Sequence, residues 1–241
     1  QAGEGVKMNG NGEERLIYKG KTKDVYDLGE GRVLLRFKDD VTGENGVFDP
    51  GANTVGLSIS GMGRANLRLS ATLFELLEAA GVRTHFVSAD LEGGSMVALR
   101  AKPFGKGLEV ICRRRAVGSF IRRYGAYIQS GAPLDNYVEM TLKDDERGDP
   151  LITREGLHAL NILDGARYDE LVSLARTITG RLAGWLAGFG LELVDIKYEF
   201  GLVGEQLVLM DELSAGNMRV WDQGRNVEAL ALARRVLPEE D

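Results

Sequence analysis

The run Leu191 to Phe200 sets Asp195, Lys197 and Glu199 at alternate positions, with Val194, Ile196, Tyr198 and Phe200 between them. Strand side chains alternate between faces, so this run predicts a strand with one apolar face and one face bearing two carboxylates and a lysine. A second run, Gln206 to Glu212, follows a turn near Gly204 and puts Leu207, Leu209 and Asp211 on one face. The hairpin would bring Asp211 across from Lys197 or Glu199. Glu199 and Asp211 are then candidate Mg²⁺ ligands, because magnesium takes hard oxygens, usually one or two carboxylates with phosphates and waters. Lys197 would meet a phosphate or a substrate carboxylate. A one-residue slip in register would undo the arrangement. From the pattern alone, a solvated face of ion pairs is an equal alternative.

Two further clusters carry positive charge. Tyr18-Lys19-Gly20-Lys21-Thr22-Lys23 contains Gly-Lys-Thr, but the glycine that a P-loop needs five residues earlier is Arg15. Asp24-Val25-Tyr26 then reads as a strand where a P-loop needs a helix. A glycine turn between strands could instead fold over a triphosphate, with Lys21 and Lys23 facing the same way. The alternative is an exposed charged hairpin. Arg113-Arg114-Arg115-Ala116-Val117-Gly118-Ser119, followed by Arg122 and Arg123, suits a phosphate, which the planar guanidinium binds bidentately. Gly118-Ser119 leads into a short helix whose N-terminal amides would add donors. A solvated basic stretch is the competing reading. His85 and His158 are isolated and fit no zinc-binding pattern. Cys112 reads as a small buried hydrophobe.

The elements that must position these groups are legible in outline. Leu16-Ile17-Tyr18, Asp24-Val25-Tyr26 and Arg32 to Phe37 predict an antiparallel meander. Leu69, Leu73, Leu76 and Leu77 predict a helix over Asn66 to Ala80, stopped by Gly81. Val82 to Val87, Met96 to Arg100 and Leu108 to Cys112 read as strands. Pro103 to Gly107 reads as a hinge, and Gly125 to Pro150 as loop. Tyr168 to Phe189 predicts an amphipathic helix buried along Leu171, Leu174, Ile178, Leu182, Trp185 and Phe189. Its Gly180, Gly184 and Gly188 imply close packing against a neighbour. Residues 1–12 read as a flexible tail and Leu237 to Asp241 as a frayed end.

Composition narrows the class. A chain of 241 residues with 44% hydrophobic and 27% charged residues is ordinary for a globular protein of one large or two small domains. A net charge of −6 argues against non-specific nucleic-acid binding. One cysteine fits a reducing, cytoplasmic setting, and no apolar run is long enough for a membrane span.

Taken in order, these segments resemble the SAICAR synthetase (phosphoribosylaminoimidazole-succinocarboxamide synthase) family. The resemblance runs from Tyr18–Lys23 with Val25-Tyr26, through Phe37-Lys38-Asp39-Asp40, Glu109 with Arg113 to Ser119, Leu142-Lys143-Asp144-Asp145 and Asp149-Pro150. It continues through Val194 to Gly201, Asp211-Glu212 with Ser214, Arg219 and Trp221-Asp222. It implies an α+β fold, with a small antiparallel β-rich N-terminal domain of kinase or ATP-grasp type over 13–102. A larger α+β domain would follow over 103–241, with ATP between the two. It implies a purine-pathway ligase that uses ATP and Mg²⁺ to join L-aspartate to carboxyaminoimidazole ribotide (CAIR) through an acyl phosphate. Position by position, Lys21 and Lys23 would hold the triphosphate, Lys143 the nucleotide, and the backbone from Arg100 through Lys102 to Phe104 the adenine. Glu199, Asp211 and Asp149 would lie at the magnesium. Lys197 and Asp195 would stand among the reacting groups. Arg113, Ser119 and Arg219, with Asp39, would bind the ribotide. The resemblance also implies a homodimer.

The chain departs from the family's usual pattern at Thr42 to Gly46, over Asp49 to Gly63, and at Ala215-Gly216, where an acidic residue is expected near the substrate. Three other readings follow: a relative that ligates another amine or carboxylate, a kinase-like phosphotransferase, and a non-catalytic nucleotide-binding module. The second lacks an H-R-D-type catalytic loop. The third sits poorly with the presence of Lys21, Lys197, Glu199, Asp211 and Arg219 together.

Overall fold

The structure, a computed structural model, describes residues 14–44, 47–48 and 55–238. The expected tail over 1–12, part of the divergent 42–63 stretch and residues 239–241 lie outside the described residues. The fold is mixed α+β with antiparallel sheets.

Strands β1 (Arg15–Lys19), β2 (Lys23–Gly29) and β3 (Arg32–Phe37) form the expected meander. Only glycine fits the first turn, because a Cβ on Gly20 would lie 2.4 Å from the Lys23 carbonyl oxygen. Strands β4 (Asp40–Glu44), β5 (Val47–Phe48) and β6 (Val55–Ser58) make a separate three-stranded sheet. Helix α1 (Met62–Ala79) starts four residues before the leucine pattern predicts. The Asp39 carboxylate accepts from the backbone N–H groups of Gly61 at 3.1 Å and Gly63 at 2.8 Å, satisfying donors that a helix start leaves open. Strands β7 (Phe86–Asp90) and β8 (Ser95–Leu99) complete a five-stranded sheet of order β1-β2-β3-β8-β7. The strand expected from Val82 begins only at Phe86. The residues before it make an isolated parallel bridge to the other sheet: Leu209 N–H donates to the Arg83 carbonyl and His85 N–H to the Leu209 carbonyl.

The second half contains β9 (Lys102–Pro103), β10 (Leu108–Arg115), α2 (Gly118–Tyr124) and β11 (Pro133–Leu142). A single 3₁₀ turn (Asp145–Arg147), α3 (Arg154–Ala159) and α4 (Gly165–Ala187) follow. Strands β12 (Glu192–Val203), β13 (Gln206–Met210), β14 (Met218–Asp222) and β15 (Arg225–Asn226) lead to α5 (Ala229–Val236). The sheet runs β11-β10-β12-β14-β15, and the far end of the long β12 also pairs β9 and β13. Strand β11 overturns the loop expected over 125–150. Its Asp135, Asn136, Glu139 and Thr141 hide the strand pattern, yet Glu139 and Thr141 are buried.

One face of this sheet is apolar. Val110, Cys112, Ile196, Tyr198 and Phe200 are buried there against α4, and the Tyr198 hydroxyl bonds Thr179 Oγ1 at 2.8 Å. Along α4, Leu171, Ile178 and Leu182 are buried as expected, whereas Phe189 lies past the helix end and is 39% exposed. Among the described residues nothing lies within 4 Å of a Cβ added at Gly180 or Gly184, so the close packing expected of them is not made within this chain. Leu237, expected to fray, is buried, and the Pro238 carbonyl accepts from Arg68 at 2.7 Å. Among the described residues no helix is long and apolar enough to cross a membrane.

Candidate active site

The opposite face of the second sheet is polar, and strand register lines up its groups in rows. Glu109 on β10 stands between Thr141 on β11 and Glu199 on β12; Ile111 stands between Glu139 and Lys197; Arg113 faces Asp195, which in turn faces Arg219 on β14. The predicted face of Asp195, Lys197 and Glu199 is therefore correct. The predicted partner is not: β12 and β13 pair Glu199 with Met210, so strict alternation would send Asp211 to the apolar side with Leu209. Asp211 instead has a left-handed backbone, φ 72°, which turns its carboxylate back to the polar side, 3.0 Å from Lys23 Nζ.

Two cavities open on this face and meet at Glu109, Asp149, Lys197 and Asn217, which line both. The larger, about 550 Å³, lies between the β1–β2 turn and the sheet and is lined by lysine–carboxylate pairs. Lys23 is buried and bonds Asp211 and, at 2.8 Å, Glu212, which also accepts from Thr22 at 2.9 Å and from Ser214 at 2.5 Å. Lys143 bonds Glu199 at 2.5 Å, Lys197 bonds Glu109 at 2.8 Å, and Lys21 reaches Asp145 at 2.7 Å across the cavity mouth. Burial would lower the pKa of Lys23, but Asp211 and Glu212 outweigh it and hold the ammonium well above the lysine range. The same balance, with Glu199 and Asp211 as the anions, raises Lys143. Burial and the charge of Asp211 push Glu199 up against the pull of Lys143. Asp211 feels the same burial, yet Lys23 and Lys143 draw it down to about 2.

Glu199 and Asp211 are thus two hard-oxygen donors lining one cavity, with the charge of Asp211 disfavouring that of Glu199, and a divalent cation shared between them would relieve that repulsion. Among the described residues no three His, Cys, Asp or Glu side chains form a ready metal cage. The pair suits magnesium that brings phosphate and water as its other ligands. Asp149, with φ 48°, spends one carboxylate oxygen on the Asp144 N–H at 2.8 Å and lies at the junction of the cavities.

The smaller cavity, about 170 Å³, is arginine-rich, with Arg113, Arg122, Arg123 and Arg219 around Ser119. Arg113 is 2% exposed and fully engaged: it donates to Glu139, to Asp195 at 2.8 Å and to Ser119 Oγ at 2.8 Å. It lines the cavity, as expected, and also forms the inner frame on which Ser119, Asp195 and, through Asp195, Arg219 are mounted. Asp195 bridges Arg113 and Arg219, each at 2.8 Å. Gly118, with φ 56°, lets the start of α2 approach Arg219, whose guanidinium would lie 3.0 Å from an added Cβ.

The side chains of Asp39, Arg100 and Lys102 line neither cavity, although Pro103, within the backbone run expected at the adenine, does. Both carboxylate oxygens of Asp39 are used at the start of α1. Arg100 turns outward to Asp27 at 3.3 Å. Lys102 is exposed, with its backbone paired to β12, and it is the neighbouring Pro103 that borders the large cavity. Sequence reasoning passed over Glu139, which binds both Arg113 and Arg123, along with Thr141 and Asn217. A buried acid opposite Ile111 would have signalled Glu139 had β11 been recognised as a strand.

The SAICAR synthetase family profile matches residues 16–231, which span every element of this site. The chain belongs to the SAICAR synthetase family. It is 53% identical over 224 residues to the phosphoribosylaminoimidazole-succinocarboxamide synthase of Clostridium tetani, covering 92% of this chain and 99% of that one. It is 36% identical to the enzyme of the same name from Methanoregula boonei, over 88% of this chain and 78% of that one. Among solved structures, a SAICAR synthetase in complex with ADP superposes with a TM-score of 0.78 at 30% identity, covering 87% and 86% of the two chains. The synthase from Ehrlichia chaffeensis superposes at 0.77 with 28% identity, covering 88% and 87%. SAICAR synthetase relatives therefore share both the architecture and nearly the whole length of this chain.

Proposed function

We propose that this chain is an ATP-dependent ligase of purine biosynthesis that joins L-aspartate to CAIR, giving the succinocarboxamide, ADP and phosphate. One observation carries the reading: a lysine–carboxylate cavity and an arginine-rich cavity meet at Lys197 and Glu109. ATP occupies the first and the ribotide phosphate the second, so the carboxylate to be activated reaches the junction. Family membership and the ADP named for a solved relative support the nucleotide assignment.

Lys21, Lys23 and Lys143 exchange their carboxylate partners for the triphosphate. Glu199 and Asp211, with Asp149 in the lining of the same cavity, would hold Mg²⁺, which would supply charge neutralisation at the transferring phosphoryl group. An oxygen of the CAIR carboxylate attacks the terminal phosphorus and ADP leaves. The deprotonated amine of aspartate then attacks the acyl carbon and phosphate leaves, forming the amide. Lys197, held by Glu109, faces the charge that develops at the junction. Arg219 and Ser119 grip the ribotide phosphate, with Arg113 and Asp195 setting their positions. The chemistry needs alignment and charge more than a covalent enzyme intermediate. We also propose a division into domains at residue 102, cytoplasmic placement and a homodimer, the last resting on the family resemblance alone.

The test is an ADP-release assay with Mg²⁺, ATP and CAIR, with and without aspartate, and the product identified by mass. Succinocarboxamide and ADP are expected only in the complete mixture, and Glu199→Gln or Asp211→Asn should lower turnover by about a hundredfold or more. ADP release without amide, or amide formation with a different amine alone, would refute the substrate assignment.

A further inference from the structure

The left-handed residue Asp211 is the one place where the hairpin abandons its own alternation, and its carbonyl oxygen is met by a buried side chain from the other half of the chain. His85 Nε2 lies 3.0 Å from that oxygen. A carbonyl only accepts, so Nε2 carries the proton and donates. His85 is 3% exposed, and its ring packs edge-on against Phe74 at 5.5 Å. Its backbone is held on both sides: its N–H donates to Leu209, two residues before Asp211, and its carbonyl accepts from Leu99 N–H on β8. The donor is thus mounted on the same strand that leads into the turn it caps.

We propose that His85 is a positioning residue for the metal site, holding the Asp211 peptide in the left-handed turn that aims the carboxylate at Lys23, into the cavity that Glu199 also lines. Left-handed backbone is uncommon for residues with a side chain, although Asp tolerates it better than most; strand alternation opposes it here, so the turn gains from an external restraint. The β12–β13 ladder supplies none at this residue, since pairing ends at Met210. The segment Arg83 to His85 supplies it, which makes the bridge between the two sheets part of the site rather than a packing contact. The proposal rests on the assignment of Asp211 as a magnesium ligand.

The test is a titration of the full chain with Mn²⁺ in the presence of one equivalent of ADP, following free Mn²⁺ by electron paramagnetic resonance. His85→Phe keeps the ring against Phe74 and deletes the donor; it should weaken Mn²⁺ binding about tenfold, as loss of a hydrogen bond behind a metal ligand typically does. His85→Gln places an amide donor at similar reach and should restore most of the affinity. If the phenylalanine chain does not fold, His85→Asn, whose amide stops short of Asp211, takes its place with the same expected loss. Wild-type affinity in His85→Phe, with binding abolished in Asp211→Asn, would overturn the proposal. Equal weakening in the Phe and Gln variants would also overturn it, because packing and not the hydrogen bond would then be the cause. An unchanged affinity in Asp211→Asn would refute the metal assignment itself, and this proposal with it.

Discussion

Acidification should destabilise the metal-free protein through His85 in a calculable way. Burial, the largest influence, lowers its pKa from 6.5 to about 4 against the opposing pull of Asp211, with Lys23 adding to the lowering. The folded value lies below the unfolded one, so the unfolded chain takes up the proton first. The stabilisation is complete above about pH 6.5 and is lost as the pH falls from there towards 4. A pKa difference of about 2.5 corresponds to at most about 3.4 kcal/mol, of which about 2 kcal/mol should be lost by pH 5. His85→Gln keeps a donor for the Asp211 carbonyl but cannot titrate. Urea denaturation in EDTA at pH 7.5 and pH 5 separates the two chains. The wild-type midpoint should fall further than the variant's by on the order of 1 M urea. Parallel shifts in both chains would show that His85 is not buried neutral and would refute the reasoning.

Four other substitutions probe the frame of the site and the long helix. Gly118→Ala puts a Cβ 3.0 Å from the Arg219 guanidinium at φ 56°; steady-state kinetics should show the CAIR KM rising about tenfold, a loss of about 1.4 kcal/mol, with the ATP KM unchanged. Gly180→Ala and Gly184→Ala enter open space on an exposed helix face, so each should raise stability by about 0.5–1 kcal/mol in thermal denaturation. Glu139→Gln removes the buried charge shared by Arg113 and Arg123; urea denaturation should show a loss of about 3 kcal/mol.

Much of the site was legible in the chain because strand alternation is a local rule. The spacing of Asp195, Lys197 and Glu199 placed three groups on one face, and the structure keeps them there. The meander and the leucine stripe of α4 followed from equally local patterns. The limits appeared where a residue's role depends on a partner distant in sequence. Asp39 looked like a substrate ligand, but the start of α1, 22 and 24 residues on, takes both its oxygens. Strand β11 read as loop because its buried acid answers to Arg113, 26 residues earlier. Gly180 and Gly184 implied a neighbour that the described residues of this chain do not provide.

By itself, then, the sequence determined which faces are apolar, where charge gathers and what chemistry that charge can serve, since side-chain type and period set these. Only the tertiary structure decided how the charges are paired. Lys23 reaches Asp211 and Glu212 across 188 and 189 residues, and the backbone reversal at Asp211, against its own strand's alternation, is met by His85 across 126. Coulomb and hydrogen-bond energies depend on distance in space, and only the folded chain sets those distances.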